Sequence, residues 1–513
     1  MLSQRWRNRL SIGTDDRRAT IAPSPPQAAQ PGELSAITAL ARQGQYERAA
    51  ALAETLTARY PRDPRPWAEL ARYRLMTGRQ AQGVEAIQRL EKLAPDDPVT
   101  FNFIGGLYSL ADLPLRAAPH FRRAAQARPD HPRFVYDLAA SQRMTGALDD
   151  ALRTVERAIA LDPANTEALW VRSDLRQATA ERNNIDDLEA RLRAPLDPRQ
   201  EVFVRYTLAH ECEEVGDWAR AFGHLQRGAA LQSSFQRYEV DRDVKTLDAF
   251  RRRHTADAVA QASPGSEDDR PIFIVGLPRT GTTLVERILG AHPKVRLIGE
   301  SSAFDRVLLD LALEHRLTGA ESVLAESGLS LPMHRLGEGY LAQATAPPRL
   351  RFIDKQPRNG LNVGFIRAAL PNARIVLLDR GPMDACWAMH KALFQNGSYP
   401  FSVDLADLAD YYAAWRRLAD HWLEAFGDAI VHIRYEDLVQ DFAGQARRLV
   451  AGCGLDWNPS CLAFHKSTRP SSTASAVQIR RPLYASSIGL WRRYETQLAP
   501  LADRLRALGV DVD

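Results

Sequence analysis

The sequence predicts a multidomain chain: an all-α solenoid of helical repeats, followed by an α/β domain with a parallel sheet in three layers. Three observations predict it. Prolines, turn residues and small residues recur at a step of 34 through the first half of the 513 residues. An apolar run at 272–275 leads through a glycine-flanked turn into a helical pattern that starts at Leu284. Beyond that turn, short apolar runs ending in charged residues alternate with helical patterns, as strand–helix–strand units do.

Residues 1–32 read as a flexible leader, rich in Pro, Ala and Ser between 20 and 32. The basic start MLSQRWRNRLSIGTDD lacks the apolar core of a signal peptide, and no apolar run has the length of a membrane span. A cytoplasmic protein with no membrane span is therefore expected. Cys212, Cys386, Cys453 and Cys461 form no C-x-x-C pair and have no metal-type spacing with histidine, so buried thiols in a reducing compartment are expected. The formal net charge of +4 is small for this length. It gives no case for nucleic acid as a partner and leaves room for an anionic small substrate.

Residues 33–250 carry the repeat. Pro61, Pro95, Pro129 and Pro163 lie 34 apart, and Pro64, Pro98 and Pro132 keep the same step. Turn positions follow at Gly44, Gly78 and Gly146, with Asp112 in the third unit. Large apolar residues hold the column Trp67, Phe101, Val135 and Leu169. Ala49, Gly83, Ala117 and Ala151 form a small column that lets paired helices approach, and proline stops the second helix before the next unit. The pattern resembles the tetratricopeptide repeat (TPR). It breaks near Thr179, and 214–221 reads as the turn and second helix of a degenerate final unit. Repeat arrays present extended surfaces, so a peptide or protein bound by the TPR domain is one expectation and rigid packing against the second domain is the other. Residues 251–270 read as a linker, and 271–513 as the second domain.

Gly276-x-x-x-x-Gly281 followed by Thr282-Thr283 has the spacing of a nucleotide P-loop, with Thr282 where that loop has lysine. In such a P-loop-like turn, backbone N–H groups and a helix N-terminus hold an anion, and Arg279 adds charge from inside the loop. The alternative is a strand-to-helix turn that needs glycine for geometry alone. Further strands are expected at 295–298, 351–355, 373–378 and 429–434. Ligands gather at the carboxyl ends of parallel strands, where Arg279, Glu300, Asp354, Lys355 and Arg380 fall.

Taken in order, these residues resemble the sulfotransferases that use 3′-phosphoadenosine 5′-phosphosulfate (PAPS), and most closely the bacterial proteins that join TPR repeats to such a domain. Residues 277–283 resemble the loop that holds the 5′-phosphosulfate, which implies Arg279, Thr280, Gly281, Thr282 and Thr283 as cofactor-binding residues. His292-Pro293 with Gly299-Glu300 resembles the segment bearing the acidic base in the tyrosylprotein branch. Asp354-Lys355 with Pro357 and Asn359 resembles the D-K-x-P-x-N segment. Arg380-Gly381-Pro382-Met383-Asp384 resembles the segment that binds the 3′-phosphate. Arg480-Arg481 followed by Ser487 and Gly489 resembles the C-terminal cofactor segment.

The resemblance implies Glu300 as the base toward an acceptor hydroxyl or amine and Lys355 as the cation facing charge on the bridging oxygen, with no metal. Structural readings stand beside these: a strand-end salt bridge of Lys355 with Asp354, and Glu300 as a cap for the helix at Ala303. Two departures matter. Ala388 stands where the family has serine, removing a hydrogen bond of about 0.5–1.5 kcal/mol. Glu300-Ser301 stands where the tyrosylprotein branch has two acidic residues. His390 reads as a surface helical residue, and Trp415, Trp422 and Phe426 as a core stripe. The alternatives for the whole chain are a TPR scaffold with a degenerate transferase domain, suggested by Ala388, and an ATP-dependent P-loop enzyme, disfavoured by Thr282. The sequence leaves the acceptor unidentified.

Overall fold

The computed structural model describes residues 28–317, 321–344, 349–394, 397–467, 469–470, 477–480, 483 and 485–512. Internal contacts divide the chain into two compact units, the first with its main run ending at Asn184 and the second beginning at Ile185.

The first unit is built from α1 (Pro31–Arg42), α2 (Tyr46–Arg59), α3 (Pro64–Met76), α4 (Gln80–Leu93), α5 (Pro98–Leu110), α6 (Pro114–Ala127), α7 (Pro132–Thr145), α8 (Leu148–Leu161) and α9 (Thr166–Leu175). The turn column has one backbone conformation throughout. Gly44, Gly78 and Gly146 have φ of 74°, 78° and 91°, and Asp112 adopts 55° in the same left-handed region. Ala49, Ala117 and Ala151 are completely buried. At Gly83 an added Cβ would stand 2.6 Å from Leu75 Cδ2, so the α3–α4 approach leaves no room for a side chain. A column that the sequence reading missed lies just before the helices. Asp63, Asp97, His131 and Asn165 each accept a first-turn N–H, which also explains the prolines that open α3, α5 and α7.

The second unit opens with α10 (Ile185–Leu192), α11 (Pro198–Glu214), α12 (Trp218–Ser234), α13 (Val240–Arg253) and α14 (Ala256–Ala260). The α11–α12 turn keeps the repeat geometry, with Gly216 at φ 84°. Aromatic packing ties the pair to its own unit: the Phe222 ring stacks on Trp387 at 6.1 Å, and Trp218 meets Tyr494 edge-on at 5.8 Å. The stretch 251–270 is also firmly packed. His254 is fully buried against Phe250 and Phe365, and a Cβ at Gly265 would lie 2.3 Å from Ala368 O.

The sheet contains β1 (Pro271–Val275), β2 (Val295–Gly299), β3 (Arg351–Lys355), β4 (Arg374–Asp379) and β5 (Ile430–Arg434). Its order is β2-β3-β1-β4-β5, with every pairing parallel. Helices α15 (Thr282–Gly290), α16 (Ala303–Glu314), α17 (Glu321–Ser327), α18 (Met333–Gln343), α19 (Val363–Ala369), α20 (Pro382–His390), α21 (Leu405–Phe426), α22 (Tyr435–Gln440), α23 (Phe442–Gly452) and α24 (Glu495–Ala507) complete the unit. All of β1 is buried because helices cover both faces of the sheet, and its uninterrupted apolar run follows from that. Ile272 and Ile274 pack with Val285 of α15 and Leu449 of α23 on one face. Phe273 packs with Phe304 of α16 and Tyr340 of α18 on the other. The layers are those expected, an all-α repeat unit and a three-layer parallel-sheet unit.

Trp422 is fully buried and donates its indole N–H to Gly360 O at 2.9 Å, while Trp415 is 6% exposed, as a core stripe requires. His390 corrects its surface reading. It is 4% exposed and its Nδ1 lies 2.9 Å from Ser402 O, because the chain after α20 folds back over it.

Candidate active site

β1 lies between β3 and β4, so the turn that follows it emerges at the middle of the sheet's carboxyl edge. The turn is left-handed at Gly276 (φ 150°), Arg279 (69°) and Gly281 (101°). A Cβ on Gly276 would stand 2.9 Å from Leu378 O, and one on Gly281 would stand 2.8 Å from Tyr435 Cδ2. Both glycines are therefore demanded by close approach as well as by φ. Thr280 Oγ1 donates to Leu277 O at 2.7 Å and closes the turn. Thr282 and Thr283 form the buried first turn of α15, whose N–H groups face the turn. Arg279 donates to Gln478 Oε1 at 3.4 Å.

Strand register brings the other expected residues to the same edge. Ile274 pairs with Lys355, Gly299 with Asp354 and Asp379 with Arg434, so Glu300, Lys355, Arg380 and Tyr435 all stand at strand ends. Lys355 Nζ donates to Glu300 Oε1 at 2.7 Å, with the lysine side chain 2% exposed and the glutamate 36% exposed. This pairing corrects both structural readings. Asp354 turns away into the core, where it accepts from Tyr340 Oη at 3.1 Å and Asn359 Nδ2 at 3.2 Å. Burial drives the Asp354 carboxyl well above the usual carboxylate range. Ahead of α16 the N-cap is Ser302, and Ser301 Oγ accepts from Ala303 N at 3.1 Å.

Arg380 joins three distant segments. Its Nη1 donates to Arg279 O at 3.0 Å and its Nη2 to Ser487 O at 2.7 Å, and its guanidinium lies 4.8 Å above the Tyr435 ring. Its Nε is buried with no hydrogen-bond partner among the described residues. Tyr435 Oη and Ser487 Oγ are 2.9 Å apart, and Gly489 N donates to Asp384 Oδ2 at 2.7 Å. Arg480 ends the short turn Gln478–Arg480, and burial lowers its pKa. Arg481 lies outside the described residues. Tyr435 is not among the site residues expected from the sequence; its position directly after β5 was the available signal. His292 is a turn residue, its Nε2 2.9 Å from Asp456 O and its Nδ1 accepting from Lys294 N at 3.1 Å.

The edge thus gathers a glycine cradle with backbone N–H groups, two arginines, a buried ammonium and a half-exposed carboxylate. Such a set can hold a multiply charged anion and move a proton beside it.

Residues 271–459 match the model described as "Sulfotransferase family", and 34–98 and 113–193 match tetratricopeptide repeat models. An uncharacterized protein of Aquifex aeolicus is 28% identical over 76% of this chain and 52% of its own length. The chain therefore spans about half the length of that relative. Protein-tyrosine sulfotransferase 1 of Danio rerio is 24% identical over 47% of this chain and 72% of its own length. Nodulation protein NoeE of Sinorhizobium fredii is 26% identical over 37% of this chain and 51% of its own length.

Proposed function

We propose that this chain, which joins a sulfotransferase-family domain to tetratricopeptide repeats, moves a sulfuryl group from PAPS to a hydroxyl or amine of an acceptor. The observation that carries this reading is the Lys355–Glu300 pair at 2.7 Å, beside the glycine cradle at the sheet edge. One feature fits a bound phosphonucleotide: the buried Arg380 Nε has no hydrogen-bond partner among the described residues. Residues 277–283 would hold its 5′ end through backbone N–H groups, Arg279 and the threonines. Arg380, Ser487, Gly489, Arg480 and Arg481 would hold the 3′-phosphate side. PAPS, when bound, supplies the activated sulfuryl group.

The chain's own residues then divide the work. Glu300 Oε1 takes the proton of the acceptor hydroxyl. Lys355, held in a nearly dry site, presents its ammonium to the charge that develops on the departing oxygen, where low exposure strengthens the interaction. Arg380 keeps most of the 3′-phosphate attraction despite Ala388, because a charge-assisted contact outweighs one neutral hydroxyl. The repeats recruit the acceptor or its carrier, and the name of the Danio relative makes a peptide tyrosine the first acceptor to test. A cytoplasmic location accords with four free, buried cysteines.

The test is mass spectrometry of host extracts incubated with the protein and heavy-sulfur PAPS. A labelled sulfate on an acceptor is expected. A protein that binds the product nucleotide 3′-phosphoadenosine 5′-phosphate (PAP) but labels nothing across extract and acceptor panel would instead be the degenerate scaffold that Ala388 suggests.

A further inference from the structure

The departure at Ala388 has a neighbour that answers it. Asp384, Ala388 and Lys391 lie at i, i+4 and i+7, and Lys391 N still donates to Trp387 O at 3.1 Å, so the helical turn runs through it. The three positions therefore share one face of α20. That face is the one covered by the C-terminal segment, because Asp384 Oδ2 accepts from Gly489 N at 2.7 Å. Lys391 Nζ donates to Glu213 Oε2 at 2.6 Å, with side-chain exposures of 27% and 15%. Tyr494 Oη donates to the other oxygen of Glu213 at 3.1 Å and fixes that carboxylate. Burial drives the pKa of the Lys391 ammonium down, Glu213 opposes this, and the charges of Arg279 and Arg380 push it down further. The repulsion from Arg279 and Arg380 is of a kind that an anion relieves.

Resting on the PAPS reading above, we propose that Lys391 is a ligand of the 3′-phosphate and replaces the hydroxyl that Ala388 lacks. The site then includes a helix from outside the family-matched residues, since Glu213, the present partner of Lys391, belongs to α11. An ammonium on the neighbouring turn reaches farther than a serine hydroxyl, so losing the hydroxyl need not lose the phosphate.

The test compares PAP with adenosine 5′-phosphate, which lacks only the 3′-phosphate, by calorimetric titration of the full chain. Lys391→Gln is expected to reduce the preference for PAP at least tenfold while leaving the affinity for adenosine 5′-phosphate within twofold. An unchanged preference would overturn the proposal. A measurement on the unaltered protein avoids dependence on how the variant folds. PAP at saturation should protect Lys391 from an amine-acylating reagent, read by peptide mass spectrometry, and adenosine 5′-phosphate should not; equal labelling would overturn the proposal too. If the unaltered protein shows no preference for PAP, the PAPS reading itself fails. If it prefers PAP and Lys391→Gln keeps that preference, only this inference fails.

Discussion

Replacing Gly281 with alanine adds one carbon to the turn and should cost the site more than it costs the fold. The residue sits at φ 101°, a conformation that costs a non-glycine residue about 1–2 kcal/mol. The new Cβ would lie 2.8 Å from Tyr435 Cδ2, against a carbon–carbon optimum of about 3.5–4.0 Å, so the ring must retreat by about 1 Å. That ring carries the Arg380 guanidinium on its face at 4.8 Å and holds Ser487 Oγ at 2.9 Å. A hydrogen bond to a charged group is worth about 1.5–3 kcal/mol, so misaligning one predicts a loss of PAP affinity of about ten- to hundredfold. Urea unfolding should show only about 1–2 kcal/mol of lost stability. Gly427→Ala is the control, since that position is helical at φ −52° and, among the described residues, nothing lies within 4 Å of its Cβ. Calorimetric titration decides the matter. If Gly281→Ala binds PAP as tightly as the Gly427→Ala control, the close packing of loop, ring and arginine does not shape the site.

Other perturbations have separate outcomes. Lys355→Met should lower single-turnover transfer at saturating PAPS by about a hundredfold or more, the scale of losing one preorganised electrostatic group. In the repeat unit, Gly83→Val should destabilise by about 1–3 kcal/mol in urea melts, because its Cβ meets Leu75 Cδ2 at 2.6 Å and Leu75 N at 3.3 Å. Burial lowers the pKa of His254 from 6.5 to about 4, so the folded state resists a proton that the unfolded chain accepts. Stability should therefore fall by up to about 3 kcal/mol as pH drops from 6.5 to 4, and His254→Phe should remove one proton from that slope.

The strands were legible because each is short, apolar and ends in a charge, and β1 carries an unbroken apolar run because both of its faces are buried. The repeat was legible because its turns demand a left-handed residue every 34 positions, a demand strong enough to show even where Asp112 meets it. Partners were harder to read. Whether Lys355 would meet Asp354 or Glu300 depends on the β2–β3 register, which adjacency in sequence misrepresents: successive strand residues point to opposite faces, and Asp354 goes into the core. The same limit hid Tyr435 and the α11–α12 pair. The pair looks like one more repeat by its turn, while its ring contacts with Trp387 and Tyr494 place it in the sheet unit. His390 looked exposed because local spacing says nothing of the segment that returns to cover it.

The central claim is that the turn after β1, Arg380 and Lys355 form a phosphosulfate site rather than an altered ATP site. Parallel titration of PAP and Mg-ATP into the unaltered protein and Arg380→Ala, followed by thermal unfolding, tests it most directly. The account predicts that PAP raises the unfolding midpoint of the unaltered protein, that Arg380→Ala abolishes the rise, and that Mg-ATP has no comparable effect. Stabilisation by Mg-ATP with no response to PAP would contradict it.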